Sequence, residues 1–265
     1  MLPQVLLRVD DIGMNHSVNM AAKELAESGI PFSTSIMWAC PWQQEIVEIL
    51  KKHPQVSVGV HLTLNSEWKY YRWGPILGNS VPSLVAEDGY FHPSVQQFLG
   101  SKYKLEEVEM ELEAQIERAL ASGLKIDYVD PHMGMAFGTP ELKAITEKLA
   151  KKYNLAISTH FNEKYKSMWA IPVADKKREF LKFLQGLDNS RVNLVELHIA
   201  HKSPEMNVLE DMNSNLMASD SGIPMASAHR FTELSMLLSE DFRKLIGKKF
   251  RLVTYAELKS KGIGK

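Results

Sequence analysis

The stretch Val5-Leu-Leu-Arg-Val-Asp10-Asp-Ile-Gly13 is a short apolar run that ends on two adjacent carboxylates. An apolar run of this length, followed by turn residues, predicts a buried strand over residues 5–9. The next segment, 17–28, carries apolar residues at helical spacing and stops at Gly29, a residue typical of helix C-termini. A strand that leads directly into a helix is the unit from which parallel sheets are built.

The same alternation continues along the chain. Six further strands are predicted, at residues 32–37, 56–62, 126–129, 155–158, 192–199 and 250–253. Helices are predicted between most of them, at residues 41–52, 105–123, 175–187 and 231–246, with two more that begin at residues 139 and 254. Seven strands that alternate with helices predict an α/β fold, in which a (β/α) barrel is favoured over an open doubly wound sheet. Without repeats or linkers, residues 1–265 are predicted to form a single domain.

Residues 63–103 interrupt this pattern and show no clear periodicity. Such a long irregular stretch within a compact domain is usually functional. Its aromatic residues, among them Trp68, Tyr71 and Trp73, favour an inserted binding loop or cap. These rings could stack on sugar rings, or they could simply pack the loop.

Composition excludes several classes of protein. The 265 residues are 45% hydrophobic and 24% charged, which is typical of a globular protein and not of a disordered or fibrous one. With 31 basic and 32 acidic residues, the net charge of −1 argues against a nucleic-acid partner. The single cysteine, Cys40, permits no intramolecular disulfide or cysteine-based zinc cluster. No signal peptide and no apolar run long enough for a membrane span is recognised, so we expect a cytoplasmic protein without a membrane partner.

Ionisable residues follow most of the predicted strands, where sites form in parallel α/β folds. The residues at these strand ends are Asp10, Asp11, His61, Asp130, His132, His160 and His198, with His201 close behind. One aspartate and two histidines from different strands match a metal site that has three protein ligands and open positions for water. The second aspartate of the pair could then act as a base. Taken singly, the aspartates could instead form a turn, and each histidine could be a hydrogen-bonded core residue.

The chain resembles the YdjC-like carbohydrate deacetylases, which include deacetylases of chitooligosaccharides. The resemblance covers almost the whole chain and rests on Asp10-Asp11 with Gly13 and Asn19, Gly59-Val-His61-Leu-Thr-Leu64, Ile126-Asp-Tyr-Val-Asp130-Pro-His132 and Arg230-Phe-Thr-Glu233. It implies a distorted (β/α) barrel related to the polysaccharide deacetylases. It also implies one divalent ion held by Asp11, His61 and His132, with Asp10 as the catalytic base.

Two motifs depart from the family pattern. The segment His132-Met-Gly134 lacks the second histidine of the family's His-x-His motif. The segment Glu196-Leu-His198-Ile-Ala-His201 lacks the family's His-Pro-Gly, so that either His198 or His201 could be the catalytic acid. Strand geometry favours His198, and Glu196, two residues earlier on the same face, is expected to orient the imidazole and raise its pKa.

Together these features predict a metal-dependent hydrolase that removes an acetyl group from an N-acetylated sugar or short oligosaccharide. Asp10 and His198 are the predicted catalytic residues, and the ion is Mg²⁺ or Zn²⁺. The predicted substrate-binding residues are Trp73, His160, His201 and Arg230. An amidase with another small substrate and a catalytically weakened sugar-binding protein remain alternatives. The oligomeric state is open, with a homodimer among the options.

Overall fold

A computed structural model describes residues 2–213 and 225–262. Its strands are β1 (Gln4–Ile12), β2 (Ser33–Ile36), β3 (Ser57–Leu62), β4 (Ile126–Pro131), β5 (Ala156–Ile157), β6 (Glu163–Ser167), β7 (Val192–His198) and β8 (Arg251–Val253). Its helices are α1 (His16–Glu27), α2 (Gln43–Leu50), α3 (Val95–Leu99), α4 (Leu105–Ala121), α5 (Pro140–Lys152), α6 (Lys176–Gln185), α7 (Ala226–Leu238), α8 (Glu240–Leu245) and α9 (Tyr255–Ser260).

The strands form one sheet in the order β5-β4-β3-β2-β1-β7-β6, with β8 paired to the first residues of β1. Every strand pairing described is parallel. The sheet curls into a half-barrel within a single domain, which confirms the predicted α/β architecture. Parallel pairing brings the carboxyl ends of the strands to one edge, and this edge carries the candidate site.

The concave side of the sheet requires a glycine at one close approach. A Cβ atom built on Gly59 of β3 would lie 2.5 Å from the ring of Tyr128 on β4, so only glycine fits there. The Tyr128 hydroxyl in turn lies 3.0 Å from Ser35 Oγ on β2. This contact ties three adjacent strands together below the site.

Three elements differ from the sequence prediction. Strand β6 was not predicted, because Glu163-Lys-Tyr-Lys-Ser167 is short and lacks an apolar alternation. The predicted helix at 231–246 is two helices, which are separated at Ser239, whose side chain caps α8. Residues 63–103 contain two short 3-10 turns and α3.

No helix within the described ranges is long and apolar enough to cross a membrane.

Candidate metal and catalytic site

A cavity of about 640 Å³ opens at the carboxyl edge of the sheet. Its wall includes six of the nine predicted catalytic, metal-binding and substrate-binding residues, namely Asp10, Asp11, His61, His132, His198 and Arg230. Strands β1, β3, β4 and β7 carry or directly precede five of them. The arrangement follows the rule that ligands bind beyond the carboxyl ends of parallel strands.

Adjacent aspartates both reach this cavity because the backbone of β1 is irregular there. Asp11 adopts a φ of 64°, in the left-handed region. The β1–β2 register shifts between Val9 and Ile12, so β1 bulges at this point. Regular alternation would have pointed Asp10 and Asp11 to opposite faces, but the bulge leaves both in the cavity wall and only 2% exposed.

Three potential ligand atoms converge at the floor of the cavity. His132 Nδ1 lies 3.0 Å from His61 Nε2. Asp11 Oδ1 lies 3.3 Å from the first of these nitrogens and 3.4 Å from the second. Asp11, His61 and His132 form one of two groups among the described residues that could hold a metal ion.

This triangle has the dimensions of one face of a divalent metal site. Two ligand atoms that each lie about 2.1 Å from an ion are about 3.0 Å apart when the ligand–ion–ligand angle is a right angle. They are about 3.4 Å apart when that angle is tetrahedral. Asp11 Oδ1 is buried and has no hydrogen-bond partner among the described residues. An unpaired carboxylate oxygen that faces two imidazole nitrogens fits an ion, and two nitrogens with one oxygen suit Zn²⁺ and similar ions.

In each imidazole, the ring nitrogen that faces away from Asp11 lies next to a carboxylate. His61 Nδ1 lies 3.0 Å from Asp130 Oδ2, and His132 Nε2 lies 3.0 Å from Glu67 Oε2. Such carboxylate–histidine pairs orient metal-ligating imidazoles and fix which nitrogen carries the proton. Here they leave His61 Nε2 and His132 Nδ1 facing Asp11.

The carboxylates also change the pKa values of both histidines. Burial alone would lower these pKa values, but Asp10, Asp11 and Asp130 outweigh it at His61 and raise its pKa to about 9. At His132 burial is opposed by Glu67 and Asp11, and the pKa rises to about 10. Without an ion, both imidazoles therefore bind a proton more tightly than an ordinary histidine does.

Asp10 is held beside this triangle by Arg8. Arg8 Nε donates to both oxygens of Asp10 at 3.1 and 3.0 Å, and Arg8 Nη1 donates to Asp130 at 2.6 Å. Burial raises the pKa of Asp10, and the charge of Arg8 opposes that rise only in part. In the β1–β7 pairing, Asp10 lies directly opposite His198. Asp10 is therefore a base of increased proton affinity next to the triangle.

Arg230 contacts Asp11 and is covered by aromatic rings. Its Nη2 donates to Asp11 Oδ2 at 2.5 Å. The guanidinium carbon lies 5.6 Å from the ring centre of Trp68 and 5.4 Å from that of Trp169. Burial would raise the pKa of Asp11, but Arg230, His198, His132 and His61 hold it well below its usual range. Because Arg230 is only 1% exposed, its position favours orienting Asp11 over contacting a substrate.

His198 lies at the end of β7, with Nε2 3.8 Å from Asp11 Oδ2 and its ring edge against Trp169. Glu233 on α7 accepts the backbone N–H of His198 at 2.7 Å. Burial lowers the pKa of His198 to about 4, and Arg230 adds to this effect. The imidazole is therefore uncharged at neutral pH.

The prediction that Glu196 contacts and orients the His198 imidazole is wrong. The Glu196 carboxylate binds Arg8 at 3.2 Å and Ser167 at 2.9 Å, and it also accepts from the Tyr165 hydroxyl. Arg8, inside the apolar run of β1, attracts this carboxylate away from the imidazole. The charge of Glu196 still acts to raise the pKa of His198, but burial outweighs it and the pKa falls.

Three predicted substrate-binding residues lie outside the cavity wall. The side chain of His201 is 40% exposed and pairs with Glu24 at 2.8 Å. His160 is exposed and stacks on Phe137, with 6.2 Å between ring centres. Trp73 is buried, donates from Nε1 to the Asn65 carbonyl and packs its edge toward His132 at 6.4 Å.

Sequence reasoning missed two residues that hold the site. Arg8 could have been found, because a charged residue within an apolar strand and two positions before Asp10 points to the same face. Glu67 had no such signal, because it lies in the irregular stretch that begins at residue 63 and shows no period.

Comparison with known proteins supports a family assignment. The family model described as YdjC-like protein matches residues 4–248. A carbohydrate deacetylase of Brevibacillus brevis is 26% identical over 266 residues, covering 96% of this chain and 99% of that protein. A carbohydrate deacetylase of Halalkalibacterium halodurans is 31% identical over 160 residues, so the match spans 60% of this chain and only 64% of that protein.

A solved structure shows the same fold. A proposed cellobiose-phosphate cleavage protein of Enterococcus faecalis superposes with a TM-score of 0.76 at 23% identity, over 97% of this chain and 99% of that one. The family model runs from β1 past α8 and includes every residue of the metal-ligand triangle. The chain therefore belongs to the YdjC-like protein family.

Proposed function

We propose that this protein is a metal-dependent deacetylase that acts on an N-acetylated sugar or a short oligosaccharide. The observation that carries the proposal is the triangle of Asp11, His61 and His132, in which three ligand atoms lie 3.0 to 3.4 Å apart. The names of the relatives from B. brevis and H. halodurans support a carbohydrate substrate. A cavity of about 640 Å³ with aromatic side chains in its wall also suits a small saccharide.

Asp11, His61 and His132 would hold the ion. A divalent ion at this position would polarise the acetamide carbonyl and lower the pKa of a water molecule. Asp10, with its increased proton affinity, takes the proton from that water. Arg8 holds the Asp10 carboxylate in place, and Arg230 fixes the second oxygen of Asp11.

The leaving nitrogen must be protonated, because an amine anion is a poor leaving group. His198 is uncharged in the resting site, so the proton that it delivers is one that it receives during the reaction. Because His198 pairs with Asp10 in the β1–β7 register, a proton taken up by Asp10 would pass to the imidazole and then to the nitrogen. His198 is thus the proposed acid, and His201, which lies on the surface against Glu24, is not.

Replacing His198 with alanine is expected to lower kcat for acetate release by about 10²–10⁴, the usual contribution of general acid catalysis. Metal content should not change, because His198 is outside the ligand triangle. The measurement is acetate release from a panel of N-acetylated sugars. His201→Ala is the matched control and should behave as wild type. A silent His198→Ala together with an impaired His201→Ala would show that the surface histidine is the acid.

Ion binding should depend steeply on pH. A histidine ligand must lose its proton before it binds an ion. Because the pKa values of His61 and His132 are raised to about 9 and about 10, ion binding at pH 7 must displace a proton from this pair. Affinity should therefore increase between pH 7 and pH 9. Calorimetric titration with Zn²⁺, in buffers of different ionisation enthalpy, measures both effects. An affinity that is constant over this range, with no proton released, would contradict the assigned ligands.

A further inference from the structure

The wall of the cavity contains more carboxylates than cationic side chains. It contains two guanidinium groups, those of Arg8 and Arg230, and no lysine among the described residues. The carboxylates of the wall are Asp10, Asp11, Glu67, Asp130, Glu196 and Asp211. The two guanidinium groups, together with either a divalent ion on the triangle or protons on His61 and His132, balance four of the six carboxylates, which leaves a small excess of negative charge that favours cations over anions. The charge of the cavity therefore bears on which sugars can enter it.

Most of these carboxylates are already paired. Arg8 contacts three of them, Arg230 contacts Asp11, and His132 contacts Glu67. Asp211 differs, because its only described hydrogen bond is the one that Oδ1 accepts from the backbone N–H of Asn213 at 2.8 Å. It forms no ion pair with any residue in the described ranges. The segment 214–224 that follows contains no lysine, arginine or histidine that could supply a cation.

The backbone places Asp211 next to the aromatic wall. Asp211 and Trp68 form an antiparallel β-bridge. Two backbone hydrogen bonds flank this bridge, both at 3.0 Å: Lys69 N–H donates to the Glu210 carbonyl, and Met212 N–H donates to the Glu67 carbonyl. Burial raises the pKa of Asp211 to about 6, and the charge of Glu67 adds to this. At neutral pH the carboxylate is therefore mostly ionised, in a partly buried place beside Trp68.

We propose that Asp211 binds an ammonium group of the substrate, so that the cavity selects N-acetylated sugars that also carry a free amino group over phosphorylated sugars. The substrate class is thus a partly deacetylated amino-sugar oligosaccharide. Asp211 would pair with the amino group of the ring that carries the reacting acetamide or of its neighbour. The inference rests on the proposed function, because the metal-ligand triangle defines where the acetamide reacts.

Kinetics with three disaccharides of N-acetylglucosamine test this selection. In one the second ring carries a free amine, in another an acetylated amine, and in the third a 6-phosphate. A hydrogen-bonded ion pair predicts a KM about tenfold lower for the free amine than for the acetylated form, with the phosphate the poorest substrate. Asp211→Asn should remove this preference mainly through KM. Glu210→Gln, beside it but paired with the exposed Lys69, is the matched control and should keep the preference.

Binding of the fully deacetylated disaccharide, followed by calorimetry, separates this inference from the proposed function because it needs no turnover. Tight binding that Asp211→Asn weakens about tenfold supports the ammonium site even if no sugar releases acetate, a result that would refute the proposed function alone. Equal binding by wild type and Asp211→Asn would overturn the inference. Turnover of the phosphorylated disaccharide that equals or exceeds that of the free amine would overturn it as well.

Discussion

Replacing Asp10 with asparagine is expected to lower kcat for acetate release by about 10²–10⁴ and to leave metal content unchanged. The carboxamide cannot accept a proton from water, but it keeps the size of the carboxylate and can still accept a hydrogen bond from Arg8. Asp10 is also outside the triangle of Asp11, His61 and His132. The measurements are acetate release and metal analysis of the purified variant.

Asp11→Asn is the matched comparison for this variant. Asparagine tolerates the left-handed backbone that Asp11 adopts, so the substitution changes the charge of the ligand and not the course of the chain. This variant should lose metal affinity, whereas Asp10→Asn should retain it. The division of roles would be wrong if both variants bound metal equally and had equal activity.

Lys176→Met is expected to cause the largest loss of stability, about 3–5 kcal/mol, because it leaves a buried charge without its partner. Lys176 on α6 pairs with Glu233 on α7, and both side chains are fully buried. Glu233 also accepts the backbone N–H of His198, so the same pair supports the end of β7. Urea unfolding measures the free energy of unfolding of the variant.

The neighbouring Lys177 provides the control. It pairs with Asp241, and both side chains are 58% exposed, so that Lys177→Met should hardly change stability. Adding Glu233→Gln to Lys176→Met should recover part of the loss, because it removes the uncompensated charge. Equal losses in Lys176→Met and Lys177→Met would show that the buried pair is not an important source of stability.

The sequence predicted the elements that carry the ligands because their signals are local. An apolar strand that ends on Asp10 and Asp11, or on His61, can be recognised from neighbouring residues alone. Parallel pairing then brings such strand ends to one edge, which is why these residues, with His132 and His198, could be expected to share a cavity.

The parts of the site that the sequence did not predict depend on contacts between distant parts of the chain. Glu67 reaches His132 from the irregular stretch 63–103, and no period in that stretch places it. The partner of Glu196 is Arg8, a pairing 188 residues apart that strand alternation alone could not reveal. Trp73 was assigned to substrate for its aromatic ring, but that ring is buried by packing near His132.

Removal and return of the metal is the most direct test of the account. Acetate release should be measured on wild-type protein after chelation and then during titration with Zn²⁺ or Mg²⁺. If the activity depends on a metal ion, chelation abolishes turnover and activity returns in proportion to bound metal, up to one ion per chain. Full turnover by protein shown to be free of metal would contradict the account.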